Sequence, residues 1–263
     1  MSFNIDIHCH TSSKPFMSGM GNQQLDMYKS ARFTPEHPIY KLLRKPIEKF
    51  SHIHLSTQSN FDLLYEGGVR VAFISMTPME KGFTVANLDA EGLKNSLLIT
   101  FMKEKSNYRD GFVSSKAINA LTSYKVSDID AIKNTIYDIY TDMLTEEINF
   151  LAKVKDKWSP NKKYMVKFPA NYTELKANLA DEKTLNVLLT IEGAHAFGNA
   201  LPLPDIQAGR KNKHKIDNHN VLIGNAFCKN IKHARTSLPL PILSVGICHH
   251  FWNGLAGHSR SLA

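Results

Sequence analysis

Long apolar runs are missing from this chain. None approaches the roughly 18 residues of a membrane span, and no basic-then-apolar leader precedes the first strand-like segment, so a soluble, cytoplasmic protein is expected. Cysteine is scarce: Cys9, Cys228 and Cys248 are the only three, an odd number with wide spacing. That pattern argues against a disulfide framework and for reduced, buried thiols, and the lack of any CxxC pair leaves no basis for a cysteine-built zinc site. Internal repeats and low-complexity tracts are absent and no composition shift marks a linker, so residues 1–263 read as one domain.

Acidic residues are also scarce in the last fifth of the chain. From Gly209 onward Asp217 stands alone against eight Lys and Arg, which accounts for most of the formal charge of +8. The densest basic stretch, Arg210-Lys211-Asn212-Lys213-His214-Lys215, has no interleaved aromatics, so it reads as a solvated loop and no nucleic-acid partner is expected. Phosphate-bearing substrates remain compatible with it.

What is present is enough apolar material for a sizeable core: 43% of 263 residues. The pattern is one of alternating helices and strands. Residues 3–10 form a strand whose side chains alternate between faces, so that Asn4, Asp6, His8 and His10 share one side. A long loop with little periodicity follows to about residue 35, of the kind that serves as a lid or specificity loop. A second His-x-His, His52 and His54, leads into helix-cap chemistry rather than a strand, and is read as solvent-facing or supporting.

Residues 61–66 read as a short helix stopped by Gly67-Gly68, and residues 69–76 as a buried strand. The spacing predicts one long helix over 128–158, with Ile129, Ile132, Ile136, Tyr140, Met143, Leu144, Ile148, Leu151 and Val154 on its buried stripe. Strands at 164–168 and 185–191, a short helix at 172–179 and a last strand at 241–248 complete the reading. Five strands, at least three ending in metal-competent residues, fit a parallel α/β fold that gathers its site at the C-terminal edge of the sheet.

Three segments carry the chemistry. The i, i+2 histidines His8 and His10 aim two imidazoles at one point, a geometry suited to zinc or a similar ion. Glu192 ends an apolar strand, where an ionised carboxylate needs a cation beside it, and Gly193 behind it permits an unusual backbone angle. A carboxylate can bridge two cations, so two histidines and Glu192 are the beginnings of a binuclear site. His195 is a weaker ligand candidate. Of the adjacent His249 and His250 only one can face the site centre. A histidine there suits either a metal ligand or a group that polarises a substrate carbonyl and stabilises the oxyanion formed on it, and the second role is favoured for His249.

The stretches Asp6-Ile7-His8-Cys9-His10, Ile191-Glu192-Gly193-Ala194-His195 and Ile247-Cys248-His249-His250-Phe251-Trp252-Asn253 resemble, in order and spacing, the membrane (renal) dipeptidase family of metal-dependent amidohydrolases. The resemblance implies a (β/α)8 barrel and a metal-dependent hydrolase of amide or peptide bonds acting on a dipeptide or other small molecule. It also implies two divalent cations, zinc foremost, per complete site. On it, His8 and His10 are metal ligands, Glu192 bridges the metals, and His249 is the catalytic residue that contacts substrate.

The first motif is His-x-His where those dipeptidases usually have His-x-Asp. The resemblance covers about the first half of a barrel, so the remaining histidine ligands and the closing aspartate of the family would lie beyond the matched stretches. An incomplete barrel would expose apolar edges through which the chain could form a homo-oligomer or serve as a non-catalytic metal-binding fragment. Asp6-Ile7-His8-Cys9-His10-Thr11 is also similar to the opening of the polymerase-and-histidinol-phosphatase (PHP) phosphoesterases. The later two motifs favour the dipeptidases.

Overall fold

A computed structural model of the chain describes residues 3–19, 26–30, 38–42, 45, 57, 59–79, 115–122, 124–134, 138–198 and 224–247. These residues form an α/β unit around a mixed, mostly parallel six-stranded sheet. Strand β1 is Asn4–Cys9, β2 Val69–Met76, β3 Lys157–Trp158, β4 Met165–Lys167, β5 Thr184–Ile191 and β6 Ile242–Val245. The helices are α1 (Ser13–Gly19), α2 (Pro38–Leu42), α3 (Phe61–Glu66), α4 (Ser115–Thr122), α5 (Val126–Asn134), α6 (Glu146–Ala152), α7 (Tyr172–Asn178) and α8 (Gly224–Thr236). None of the described helices is long and apolar enough to cross a membrane.

Strand β5 is the centre of the sheet. It pairs in parallel with β2 from Val71 opposite Asn186 to Met76 opposite Ile191. At its start it also pairs with β4, and at its end with β6, both in parallel. Strand β1 lies on the far side of β2, again parallel, while β3 folds antiparallel onto β4. Burial follows this order: Leu185, Val187, Leu189 and Ile191 of β5 and Ala72, Ile74 and Met76 of β2 are inaccessible, whereas Ile5 and Ile7 of β1 are exposed. The side of β1 that carries Ile5 and Ile7 is therefore uncovered, although Cys9 on the same strand is buried.

Local sequence explains the main stops and starts. Asn60 caps α3 by accepting the backbone N–H of Leu63 at 2.9 Å. Gly67 ends the helix, and Gly68, at φ 77°, turns the chain into β2. Asn4 ties β1 to this turn, its backbone N–H and side-chain amide donating to the carbonyls of Gly68 and Gly67 at 3.0 and 2.9 Å.

The expected single helix over 128–158 is instead several elements. Helix α5 ends at Asn134, Tyr140–Thr145 is a π-helical segment that runs into α6, and α6 ends at Ala152. Asp156 then takes the left-handed conformation, at φ 56°, and Lys157 and Trp158 turn into β3. The apolar stripe itself is buried as expected: Ile129, Ile132, Tyr140, Met143, Leu144, Ile148, Leu151 and Val154 all lie in the core, and Ile136 is outside the described residues. Tyr140, Met143 and Leu144 stay buried in the π-segment, so burial of the stripe does not report the change of helix type.

Candidate metal centre

In a parallel sheet the C-terminal ends of the strands share one edge. Here that edge carries His8 and His10 from β1, Ser75 and Thr77 from the end of β2, and Glu192 directly after β5. Strand β1 is irregular where it matters. Its register against β2 slips between Asp6 and Cys9, so that three steps along β1 match two along β2. A bulge of this kind re-aims side chains, and it falls beside His8.

The three predicted ligands come together. His8 Nε2 lies 2.9 Å and His10 Nε2 3.8 Å from Glu192 Oε1. One ligand atom from each residue can be chosen so that all three lie within 4.8 Å of one another. The two imidazoles meet edge to face, at 89° with centroids 4.8 Å apart, which lets both rings approach one point without overlapping. Asp6, on the same strand face, is not in the cluster, and its Oδ1 accepts the backbone N–H of His8 at 3.0 Å.

The surrounding hydrogen bonds prepare these atoms for a cation. His10 Nδ1 is 2.8 Å from the Ser75 carbonyl oxygen. A carbonyl can only accept, so Nδ1 carries the proton, and in the neutral ring Nε2 keeps its lone pair for a metal. Nε2 lies 3.8 Å from Glu192 Oε1, a contact that a cation between the two atoms or a proton on Nε2 would satisfy. Thr77 Oγ1 donates to Glu192 Oε2 at 2.8 Å, which orients the carboxylate and turns Oε1 toward the histidines. Nitrogen and oxygen ligands about 2.0–2.1 Å from a tetrahedral zinc are roughly 3.3 Å from each other. The 2.9 and 3.8 Å separations bracket that value. The donor set therefore fits a divalent ion of the zinc type, and nothing in it singles out zinc from its neighbours.

Gly193 adopts φ 90°, the unusual backbone angle expected of it, and swings the chain from β5 into a short 3-10 turn, Ala194–Phe197. This turn buries His195. Its Nε2 donates to the Pro78 carbonyl at 3.0 Å, so His195 joins the turn after β5 to the segment after β2 and is no part of the His8–His10–Glu192 cluster. Cys9, between the two histidines in sequence, is buried, which pushes its thiol up to about 11. Its Sγ donates to the Phe73 carbonyl at 3.5 Å and it is no part of the cluster, while Cys228, expected to be buried, is exposed on α8.

His249 and His250, and likewise His52 and His54, lie outside the described residues, so the assignment of His249 as the catalytic residue has no geometry here. Sequence reasoning did not find Thr77 or the carbonyl of Ser75. The available signal was the polar pair at the end of β2, a strand whose neighbours on both sides carry the ligands. Fold and site together define an α/β protein with a metal-competent His-His-Glu cluster at the C-terminal edge of a parallel sheet. No family model, curated protein or solved structure matches the chain.

Proposed function

We propose that the chain is a metal-dependent hydrolase that cleaves an amide or peptide bond of a small, dipeptide-like substrate. The observation that carries this reading is the convergence of His8 Nε2, His10 Nε2 and Glu192 Oε1, with His10 and Glu192 each held from behind by a hydrogen bond from or to the end of β2. Compatible with it, β1, β2, β5 and β6 are neighbours and all parallel, as barrel strands are, while β4, which precedes β5 in the chain, pairs in parallel with the start of β5 and carries β3 as an antiparallel edge. We read the fold as part of such a barrel.

A divalent cation bound here would polarise a substrate carbonyl and lower the pKa of water. The protein's own contributions are separable. His8 and His10 supply neutral nitrogen donors on a short, bulged strand. Glu192 supplies a charged oxygen, and its second oxygen, steadied by Thr77, gives it the reach for the bridging role that the dipeptidase resemblance implies. His249, which follows β6 closely in sequence, is assigned to the oxyanion.

The test is elemental analysis of the purified chain after loading with Zn2+, Mn2+ or Co2+ and desalting, followed by hydrolysis of a dipeptide panel beside p-nitrophenyl phosphate. Bound metal with dipeptide turnover supports the reading. Absence of bound metal at saturating ion would end it, and turnover of the phosphate ester alone would move it to the PHP-type phosphoesterases.

A further inference from the structure

The segment that leaves the metal-ligand strand is held by a buried acid. Glu147, in the first turn of α6, is 2% exposed, and its Oε1 accepts the hydroxyls of Ser12 at 2.6 Å and Ser13 at 3.3 Å. These serines follow His10 by two and three residues and are themselves buried. Thr11, between them and the ligand, is fully buried with its hydroxyl 3.0 Å from that of Ser59. Just beyond, α1 begins with the Phe16 N–H on the Ser12 carbonyl, and Phe16 packs against Phe150 of α6 at a centroid distance of 6.0 Å. Glu147 is thus the polar anchor in an otherwise apolar contact between α6 and the exit of β1.

Stability alone does not account for it. A buried carboxyl with two hydroxyl donors is costlier than a methionine or leucine packed in the same space. What the carboxyl supplies, and an apolar side chain cannot, is a directed tether on two consecutive residues of the turn after His10.

We infer that Glu147 is a positioning residue of the metal centre, clamping Ser12 and Ser13 so that the turn after β1 holds His10 in its ligating orientation. This rests on the proposed metal-binding role of His8, His10 and Glu192.

The experiment compares Zn2+ affinity, by competition with a chromophoric chelator, and the Co2+ visible spectrum across four variants. In the triple variant S12A/S13A/E147M the acid and both donors are gone together, so no buried polar group is stranded and thermal stability should stay near that of the parent. Its Zn2+ affinity should fall by about 10-fold or more, the usual range for lost support behind a ligand, with shifted Co2+ bands. Glu147→Gln, which can still accept both hydroxyls, should bind Zn2+ within about 2-fold of the parent, a rescue that general packing would not produce.

Parent-like affinity and spectrum in the triple variant would overturn the inference, as would a Glu147→Gln protein as impaired as the triple. Should the triple variant not fold, Ser12→Ala, which leaves Ser13 on the carboxyl, takes its place, and unchanged Zn2+ affinity there overturns the inference equally. His8→Ala separates the two levels. If it binds Zn2+ like the parent, the metal reading itself fails; if it loses Zn2+ while the clamp variants do not, only the role of Glu147 fails.

Discussion

Thr77 and Glu192 sit on loops that leave neighbouring strands, and the hydroxyl of the first holds the carboxylate of the second at 2.8 Å. The same hydroxyl oxygen is 3.5 Å from His10 Nδ1, so one side chain at the end of β2 lies against the ligands contributed by β1 and by β5. The backbone reinforces the link, with the Glu192 N–H donating to the Met76 carbonyl at 2.9 Å. The candidate site is therefore a property of three adjacent parallel strands rather than of one motif.

Replacing Thr77 with Val keeps the shape and removes the hydroxyl. The fold should lose only about 1 kcal/mol, the worth of one hydrogen bond. Metal affinity should drop by about 10-fold, because Glu192 is then free to rotate Oε1 away from the histidines. Chelator competition together with a thermal melt checks both halves, and a Val variant that melts lower yet binds metal normally would show that Thr77 serves the fold alone.

Ligand binding to the native state alone raises stability by mass action, so a metal-binding site should declare itself in the melting temperature. At a Zn2+ concentration 100 times the dissociation constant the gain is about 2.7 kcal/mol, several degrees for a chain of this size. The shift should vanish on chelation with EDTA and should be absent in His8→Ala and Glu192→Ala. Differential scanning calorimetry with and without Zn2+ is the measurement. An equal shift in these variants would place the bound metal elsewhere.

Glu147 makes stability depend on pH in a direction opposite to that of most carboxylates. Burial pushes its carboxyl from an ordinary value of 4.5 up to about 7, against a smaller downward pull from Ser12 and Ser13. Between those two values the folded chain holds a proton that the unfolded chain has released. The slope of unfolding free energy with pH is then negative: the contribution is intact below pH 4.5 and lost as pH rises through 7. The size is about 3 kcal/mol, at 1.36 kcal/mol per pKa unit. Glu147→Gln should remove this slope and be the more stable protein at pH 8. Urea titrations at pH 5 and pH 8 would detect it, and parallel pH dependences in the two proteins would refute the buried-acid reading.

How much of this could be read from the residues alone differs from place to place. His8, His10 and Glu192 were legible because each is a metal-competent side chain at the end of a strongly patterned strand, and parallel strands share an edge. The short helix at Phe61–Glu66 and its glycine stop were legible for local reasons, an Asn cap before it and two glycines after. Strand β3 was not. Lys157 and Trp158 continue a helical apolar pattern, and only pairing with β4, together with the left-handed turn at Asp156, takes them out of it. Thr77 was hidden for a related reason, since a threonine after a strand gains meaning only when its neighbour in space is known.

Gly193, at φ 90°, lies where a side chain is strained, and it joins Glu192 to the buried turn that contains His195. Alanine there should cost about 1–2 kcal/mol from the backbone alone. The more informative effect is on the site. If the chain relieves strain by rotating the 192–193 peptide, Glu192 leaves its place between Thr77 and His8, and Zn2+ affinity falls together with stability. Gly193→Ala should therefore lose more metal affinity than Thr77→Val, and chelator competition on both variants makes the comparison. A Gly193→Ala protein that is destabilised yet binds Zn2+ like the parent would mean that Glu192 is held by its strand and by Thr77, with the glycine needed only to make the turn.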